Sequence, residues 1–301
     1  MTNGASKQGG RAVSSSPTAD QPLVAAILLV IGTMFIPLGD AFAKLAAIKT
    51  TYTPIELAWM RFVLGAAVVM PLVLLAGGKA LTSARFWGAQ LVRGALIAGT
   101  IICIITAVTK IPLADAFGAF FVGPAVATIL SRTILGEAVR PIEWAAVLGG
   151  FLGVMIILKP GASLSEGQVW ALSAGALYGS YLAATRWPKS AGPALSQLAG
   201  QLCIGAVLVG PFAAVTVLLK GLQSPDLLLG SGLSSVVGNL LIIMAFAYAR
   251  AGVLTPLVYC QLIAAVFYGW YFSNDIPTLT TVLGIAVIFT AGMTPLLQAK
   301  R

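Results

Sequence analysis

Apolar residues run along this chain in long unbroken stretches, interrupted by single charges, Gly and Pro clusters and short polar turns. A helix crossing the hydrocarbon of a bilayer needs about 20 such residues in a row, whereas a membrane strand needs about ten with alternating polarity. The pattern therefore predicts an all-α integral membrane protein. The interruptions place ten transmembrane helices at 22–47, 54–76, 87–109, 112–134, 141–158, 167–185, 193–219, 228–249, 253–273 and 278–297. The fourth and fifth are separated by Gly136-Glu137-Ala138-Val139-Arg140-Pro141, where a proline closes one helix and can occupy the first turn of the next. Residues 1–21 are rich in Ser, Gly and Thr and are expected to be a disordered cytoplasmic tail. The run from Leu23 lacks a small-residue cleavage site before a polar region, so the first helix is expected to stay as an anchor.

Composition sharpens this. Hydrophobic residues make up 58% of the chain and charged residues 9%, against about 25% charged in a soluble domain. A surface this poor in charge cannot face water, and lipid is the solvent that accepts it. The net charge of +9 is a topology signal rather than a nucleic-acid footprint. With ten spans and both termini in the cytoplasm, twelve basic residues fall inside: Lys7, Arg11, Lys79, Arg85, Arg93, Arg132, Arg140, Arg186, Lys189, Arg250, Lys300 and Arg301. Only Lys49, Lys110, Lys159 and Lys220 fall outside, while Lys44 and Arg61 lie within helices. Short loops with this bias satisfy the positive-inside rule, and the chain is expected in the cytoplasmic (inner) membrane, ending in the short cytoplasmic segment 299–301.

The chain also repeats itself at an offset near 140 residues. Ala107-Val108-Thr109-Lys110-Ile111-Pro112-Leu113-Ala114-Asp115-Ala116 answers to Ala247-Tyr248-Ala249-Arg250-Ala251-Gly252-Val253-Leu254-Thr255-Pro256. Each copy holds five spans, an odd number, so the second copy must enter the membrane inverted. Inverted repeats are the architecture of alternating access around a central site.

Ile111-Pro112-Leu113-Ala114-Asp115-Ala116-Phe117-Gly118-Ala119-Phe120-Phe121-Val122-Gly123-Pro124, then Leu135-Gly136-Glu137 and the helix from Gly150 to Lys159, resemble the EamA repeat of the drug/metabolite transporter (DMT) superfamily. Ala251 to Pro256, Gln261-Leu262 and Asp275-Ile276-Pro277 resemble a second copy, with Asp275 where Glu is usual. The resemblance implies two five-helix repeats, 22–159 and 160–298, as a 5+5 inverted bundle around a central cavity. It implies a secondary transporter of a small organic solute: an amino acid, a vitamin, a nucleotide-related metabolite or a drug. Within the family the chain is similar to uptake-type members for riboflavin or S-adenosylmethionine. Export of amino acids or drugs is the alternative it leaves, and a homodimer stays open.

Candidate site residues follow from the cost of placing polar groups in hydrocarbon. A lone charge at a helix centre costs at least about 2.5–3.5 kcal/mol, so it needs a partner, water or a substrate. Asp40 and Lys44 are four apart on one helix face, either a self-neutralising pair or a polar gate. Glu56 and Arg61 flank the start of the second helix; the guanidinium could bind a substrate anion, or pair with Asp40 or Glu56. Asp115 sits in the first turn of the fourth helix, where the helix dipole favours a carboxylate. Glu137 is expected to fix the connection between the fourth and fifth helices. Tyr178, Tyr181, Gln197, Gln201, Asn239, Tyr259 and Gln261 fall inside spans, as interhelical hydrogen bonds or as cavity lining for a partly aromatic solute.

What is missing narrows the chemistry. The chain has no histidine and no Gly-rich phosphate loop ending in Lys-Ser or Lys-Thr, and its three cysteines, Cys103, Cys203 and Cys260, lie in apolar runs without metal spacing. No cofactor, metal or ATP hydrolysis is expected, and gradients or exchange would supply the energy. An intramembrane enzyme would need an acid, a base and a nucleophile, and only Asp40, Glu56 and Arg61 cluster. A non-transporting scaffold would have no use for buried polar groups in both halves.

Overall fold

The computed structural model describes residues 21–134, 136, 138–158, 163–186, 192–248 and 255–299. Every regular element among these residues is helical. The α-helices are α1 (Pro22–Lys49), α2 (Pro54–Leu75), α3 (Ala84–Lys110), α4 (Leu113–Phe120), α5 (Gly123–Thr133), α6 (Pro141–Leu158), α7 (Glu166–Arg186), α8 (Ala194–Lys220), α9 (Pro225–Tyr248), α10 (Cys260–Ser273) and α11 (Leu279–Ala299). In hydrocarbon each backbone N–H and C=O must be satisfied within its own segment, and the helix does this. Pro22, Pro54, Pro141 and Pro225 each open a helix, where a missing N–H costs nothing.

Among the described residues, seven helical stretches are long and apolar enough to cross a membrane: α1, α2, α3, Leu113–Thr133, α6, α8 and α9. The remaining predicted runs fall on α7, which carries more polar residues, and on the shorter apolar stretches Leu257–Ser273 and Leu279–Met293. Some predicted boundaries move. The third helix begins at Ala84 rather than 87, and the eighth at Pro225 rather than 228. The predicted helix 112–134 is two helices that break at Phe121-Val122. Pro124 explains the break, because it offers no N–H to the Phe120 carbonyl four residues earlier. The head of the predicted ninth helix is a 3-10 turn, Thr255–Tyr259. Glu137, the tail 1–20 and residues 300–301 lie outside the described residues.

The helices pair in an ordered way. α1 lies along α9, α3 along α7, α2 along α8 and α6 along α11; α1 also packs on α10, and α7 on α4 and α5. The buried core runs through the middle of these pairs, with Ile105, Leu113, Phe117, Leu262 and Ile288 all nearly inaccessible. α6 and α11 approach so closely that backbone meets backbone. A Cβ added at Gly153 would stand 2.7 Å from the Gly284 carbonyl oxygen, and one at Gly284 the same distance from that of Gly153. Small residues at such crossings drive helix association in lipid, where the hydrophobic effect between helices is absent. Replacing Gly153 by Leu is expected to destabilise the protein by about 1–3 kcal/mol through overpacking. The thermal unfolding midpoint in detergent reads this out, and an unchanged midpoint would contradict the close crossing.

Candidate functional site

Two polar layers and one aromatic layer occupy the bundle. The connections 50–53, 221–224 and 274–278 come together at one end, called here the turn end; the connection 76–83 and the start of α8 lie at the other, the tail end.

The turn end is a network of charges. Asp40 and Lys44, four apart on α1, do not neutralise each other: each reaches a different helix. Asp40 Oδ1 accepts from Arg61 Nη1 at 2.5 Å, and both side chains are almost wholly buried. Lys44 Nζ donates to Asp275 Oδ2 at 2.5 Å and to the Ile111 carbonyl at 3.4 Å. The physical reason is that α1 is flanked by α2 on one side and α10 on another, so a cross-helix carboxylate is available to each cation. Gly39 makes room for the first pair, since a Cβ there would collide with Arg61 Nη2.

Glu56 holds a junction rather than a pocket. One of its oxygens accepts the Thr53 N–H at 2.6 Å in a capping box, and both accept from Lys220 Nζ at 2.7 and 2.8 Å. Tyr52 hydroxyl donates to the Gly221 carbonyl beside it. Asp115 Oδ1 accepts from the buried Thr281 hydroxyl of α11 at 2.6 Å. Lys110 and Glu166 pair at 2.9 Å nearer the surface.

Midway through the bundle lies the aromatic layer. The break at Phe121-Val122 turns two consecutive rings toward different tyrosines. Phe120 sits 5.0 Å from Tyr178, and Phe121 sits 5.1 Å from Tyr259, centroid to centroid. Tyr178 in turn stacks on Tyr181 at 5.9 Å. Such offsets suit aromatic packing and also suit a planar guest. Gln261 is buried near this layer's second half. Asn239 is spent on its own helix, donating to the Ser235 carbonyl at 2.8 Å.

Toward the tail end Tyr181 hydroxyl donates to Gln201 Oε1 at 2.8 Å. One turn further on, Arg93 Nη1 donates to Gln197 Oε1 at 2.7 Å, and Nη2 to the Thr185 carbonyl at 3.0 Å. Arg93 is therefore not the loop charge of the topology count: α3 starts nine residues before it, and only 3% of it is exposed. Sequence reasoning missed Gln90 and Arg93 as site residues, together with Thr281 and the partners Lys220 and Asp275. The signal for the first two was present, because they stand three apart, well inside an apolar run, on one helix face. No group of three metal-ligating residues occurs among the described residues.

A family model described as the EamA-like transporter family matches residues 23–159 and again 165–293. The chain belongs to the EamA-like transporter family. It is a multi-pass membrane transporter of that family, within the drug/metabolite transporter superfamily. It is 26% identical over 277 residues to a pseudopaline exporter of Pseudomonas aeruginosa, covering 88% of this chain and 93% of that one. It is 25% identical over 281 residues to a riboflavin transporter of Rhizobium johnstonii, covering 90% of each. An S-adenosylmethionine uptake transporter of Rickettsia prowazekii is 24% identical over 247 residues, covering 82% of this chain and 84% of that one. A solved crystal structure shares the fold, with a TM-score of 0.59 at 18% identity over 91% of this chain and 98% of that one. These EamA-like relatives differ in cargo, so the site residues must be read from this chain's own geometry.

A buried ion pair contributes little net stability, because desolvation offsets the attraction, but removing one partner strands the other at a cost of about 3–5 kcal/mol. Asp40→Asn and Arg61→Gln are each expected to lower the detergent unfolding midpoint, and the double variant to lose less than the sum of the two single losses. Strict additivity in this double-mutant cycle would show that the two groups do not interact.

Proposed function

We propose that this EamA-like transporter carries a small organic metabolite across the cytoplasmic membrane by alternating access of two inverted halves, 22–159 and 160–298. The reading takes ten spans, five to a half, with both termini in the cytoplasm. The observation that carries it is the symmetry of the helix pairing. Counting the spans of each half in order, α1 on α9 is first against third, and α7 on α3 is first against third again. α1 on α10, and α7 on α4 and α5, are both first against fourth. α2 on α8 and α6 on α11 join equivalent helices. Exchanging the halves leaves the pattern unchanged, which is what two inverted copies around a shared axis require. A bundle so built has a mirror-image alternative of similar energy in which the other end is closed.

The turn-end charges fit the role of the closing element. Lys44–Asp275, Glu56–Lys220 and Lys110–Glu166 each join the first half to the second, whereas Asp40–Arg61 lies within the first. Most of the Lys and Arg outside the helices fall toward the tail end, against Lys49, Lys110 and Lys220 here, so the positive-inside rule takes the turn end as the exterior. Ion pairs suit a gate because water entering on opening solvates the separated charges, so closed and open states differ little in energy. In this reading Asp40–Arg61 travels as part of one body, while Lys44–Asp275 makes and breaks. The aromatic layer between Phe120, Tyr178, Phe121 and Tyr259 supplies the surface for an organic cargo.

Purified protein in liposomes is expected to show saturable, countertransport-stimulated flux of at least one metabolite from a panel of flavins, amino acids and nucleoside derivatives. Failure of the whole panel to bind or move would overturn the reading. The gate has its own check. In a background lacking Cys103, Cys203 and Cys260, the probe Leu113→Cys, packed against Gly269 next to Asp275, is expected to react several-fold faster with a membrane-impermeant thiol reagent when Lys44→Gln and Asp275→Asn are added. Equal rates with and without those substitutions would remove Lys44–Asp275 from the gate.

A further inference from the structure

Arg93 is a buried cation with no carboxylate partner among the described residues. Both of its described acceptors, Gln197 Oε1 and the Thr185 carbonyl, are neutral, and its Nε finds no partner. The other described carboxylates are committed elsewhere. Asp40, Glu56, Glu143, Glu166 and Asp275 are in ion pairs with other cations. Asp115 is bonded to Thr281, and Asp226 stands in the first turn of α9 at the opposite end. One residue face away, Gln90 is fully buried and neither its Nε2 nor its Oε1 has a partner among the described residues.

A purely structural role accounts for part of this. Arg93 ties α3 to α7 and α8 through its two hydrogen bonds. It does not account for Gln90, since an idle buried amide ties nothing and costs about 1–3 kcal/mol. Nor does it account for a guanidinium left charged in a place where a neutral donor would make the same two bonds. The unpaired donors of Arg93 and Gln90, three apart on one helix, have the chemistry to hold an anion.

We propose that Arg93 and Gln90 bind the carboxylate of the transported solute, whose planar body lies against Tyr178 and Tyr181. This deepens the transport reading and rests on it. The guanidinium fork matches a planar carboxylate, and a Gln amide N–H adds a further donor. One cation balances a monoanion, whereas a phosphate monoester, carrying about 1.5–2 negative charges at neutral pH, would leave an excess in the bundle. In the closed conformation the Gln197 amide oxygen holds the place of the carboxylate at Nη1. On α7 and α8, Tyr181 and Gln201 stand one turn from Thr185 and Gln197, so the tyrosine rings begin where the anion site ends.

The full-length protein in detergent tests this by ligand-dependent thermal unfolding. The probes are benzoate, 3-phenylpropionate and indole-3-propionate, each beside its primary amide, with phenyl phosphate as the dianion. At least one carboxylate is expected to raise the midpoint, its amide to do so at least about tenfold more weakly in concentration, and phenyl phosphate to match neither better nor equally. Arg93→Gln is expected to abolish the preference for acid over amide. Gln90→Leu is expected to weaken the carboxylate response while leaving the ligand-free midpoint unchanged or higher, which also covers the case of a poorly folded Arg93 variant. Acid and amide acting alike, phenyl phosphate acting best, no response to any carboxylate, or full responses in folded variants would each overturn the proposal. Liposome flux separates it from the transport reading: carboxylate binding without any flux would sink transport alone. Flux of neutral solutes unaffected by Arg93→Gln would sink the carboxylate site alone.

Discussion

A charge held in hydrocarbon must find an opposite charge or an equivalent set of dipoles, and that constraint organises this molecule. The chain has eighteen basic and nine acidic residues, so carboxylates are the scarce partner. At the turn end Asp40, Glu56, Glu166 and Asp275 are matched to cations across helix boundaries, each match fixing which helices can be neighbours. Asp40–Arg61 sets α1 against α2, Lys44–Asp275 sets α1 against the end of α10, and Glu56–Lys220 sets α2 against α8. Glycine and alanine then let the same helices close to contact distance.

Most of the fold is legible in the chain because lipid imposes a simple grammar. Runs of apolar residues become helices. What the runs do not carry is the interruption of a helix by a change in hydrogen bonding, as at Phe121-Val122, where a proline three residues later frees a carbonyl without changing hydropathy. Site residues are less legible for a related reason. Sequence spacing brings Asp40 and Lys44 onto one face, but which helix lies opposite that face is a tertiary fact. Arg93 illustrates the other limit: counted with the cytoplasmic charges, it lies inside α3 and is buried because α7 and α8 supply its acceptors there. The tyrosines 178 and 181 and Gln201 do come together, while Asn239 turns back onto its own helix and Glu56 serves a helix cap.

Ion pairs that cross between the halves and one that stays within a half divide the work of the network. The former lie at the edge of the bundle, where water can replace a lost partner. The latter lies deeper, with both side chains almost wholly buried. Between the charged end and the Arg93 cluster, the aromatic layer has one ring pair on each side of the helix break. In the proposed transport cycle, a change in the angle between halves would alter both pairs at once and so couple the proposed cargo surface to closure of the ends.

Distances measured across both ends by double electron–electron resonance test the alternation most directly. Nitroxides at the exposed positions Ile48 and Ile276 report on the turn end, and those at Leu75 and Ala194 on the tail end. In liposomes with a transported solute added, alternating halves require one distribution to lengthen as the other shortens. Distances that move together, or stay fixed while flux proceeds, would contradict it.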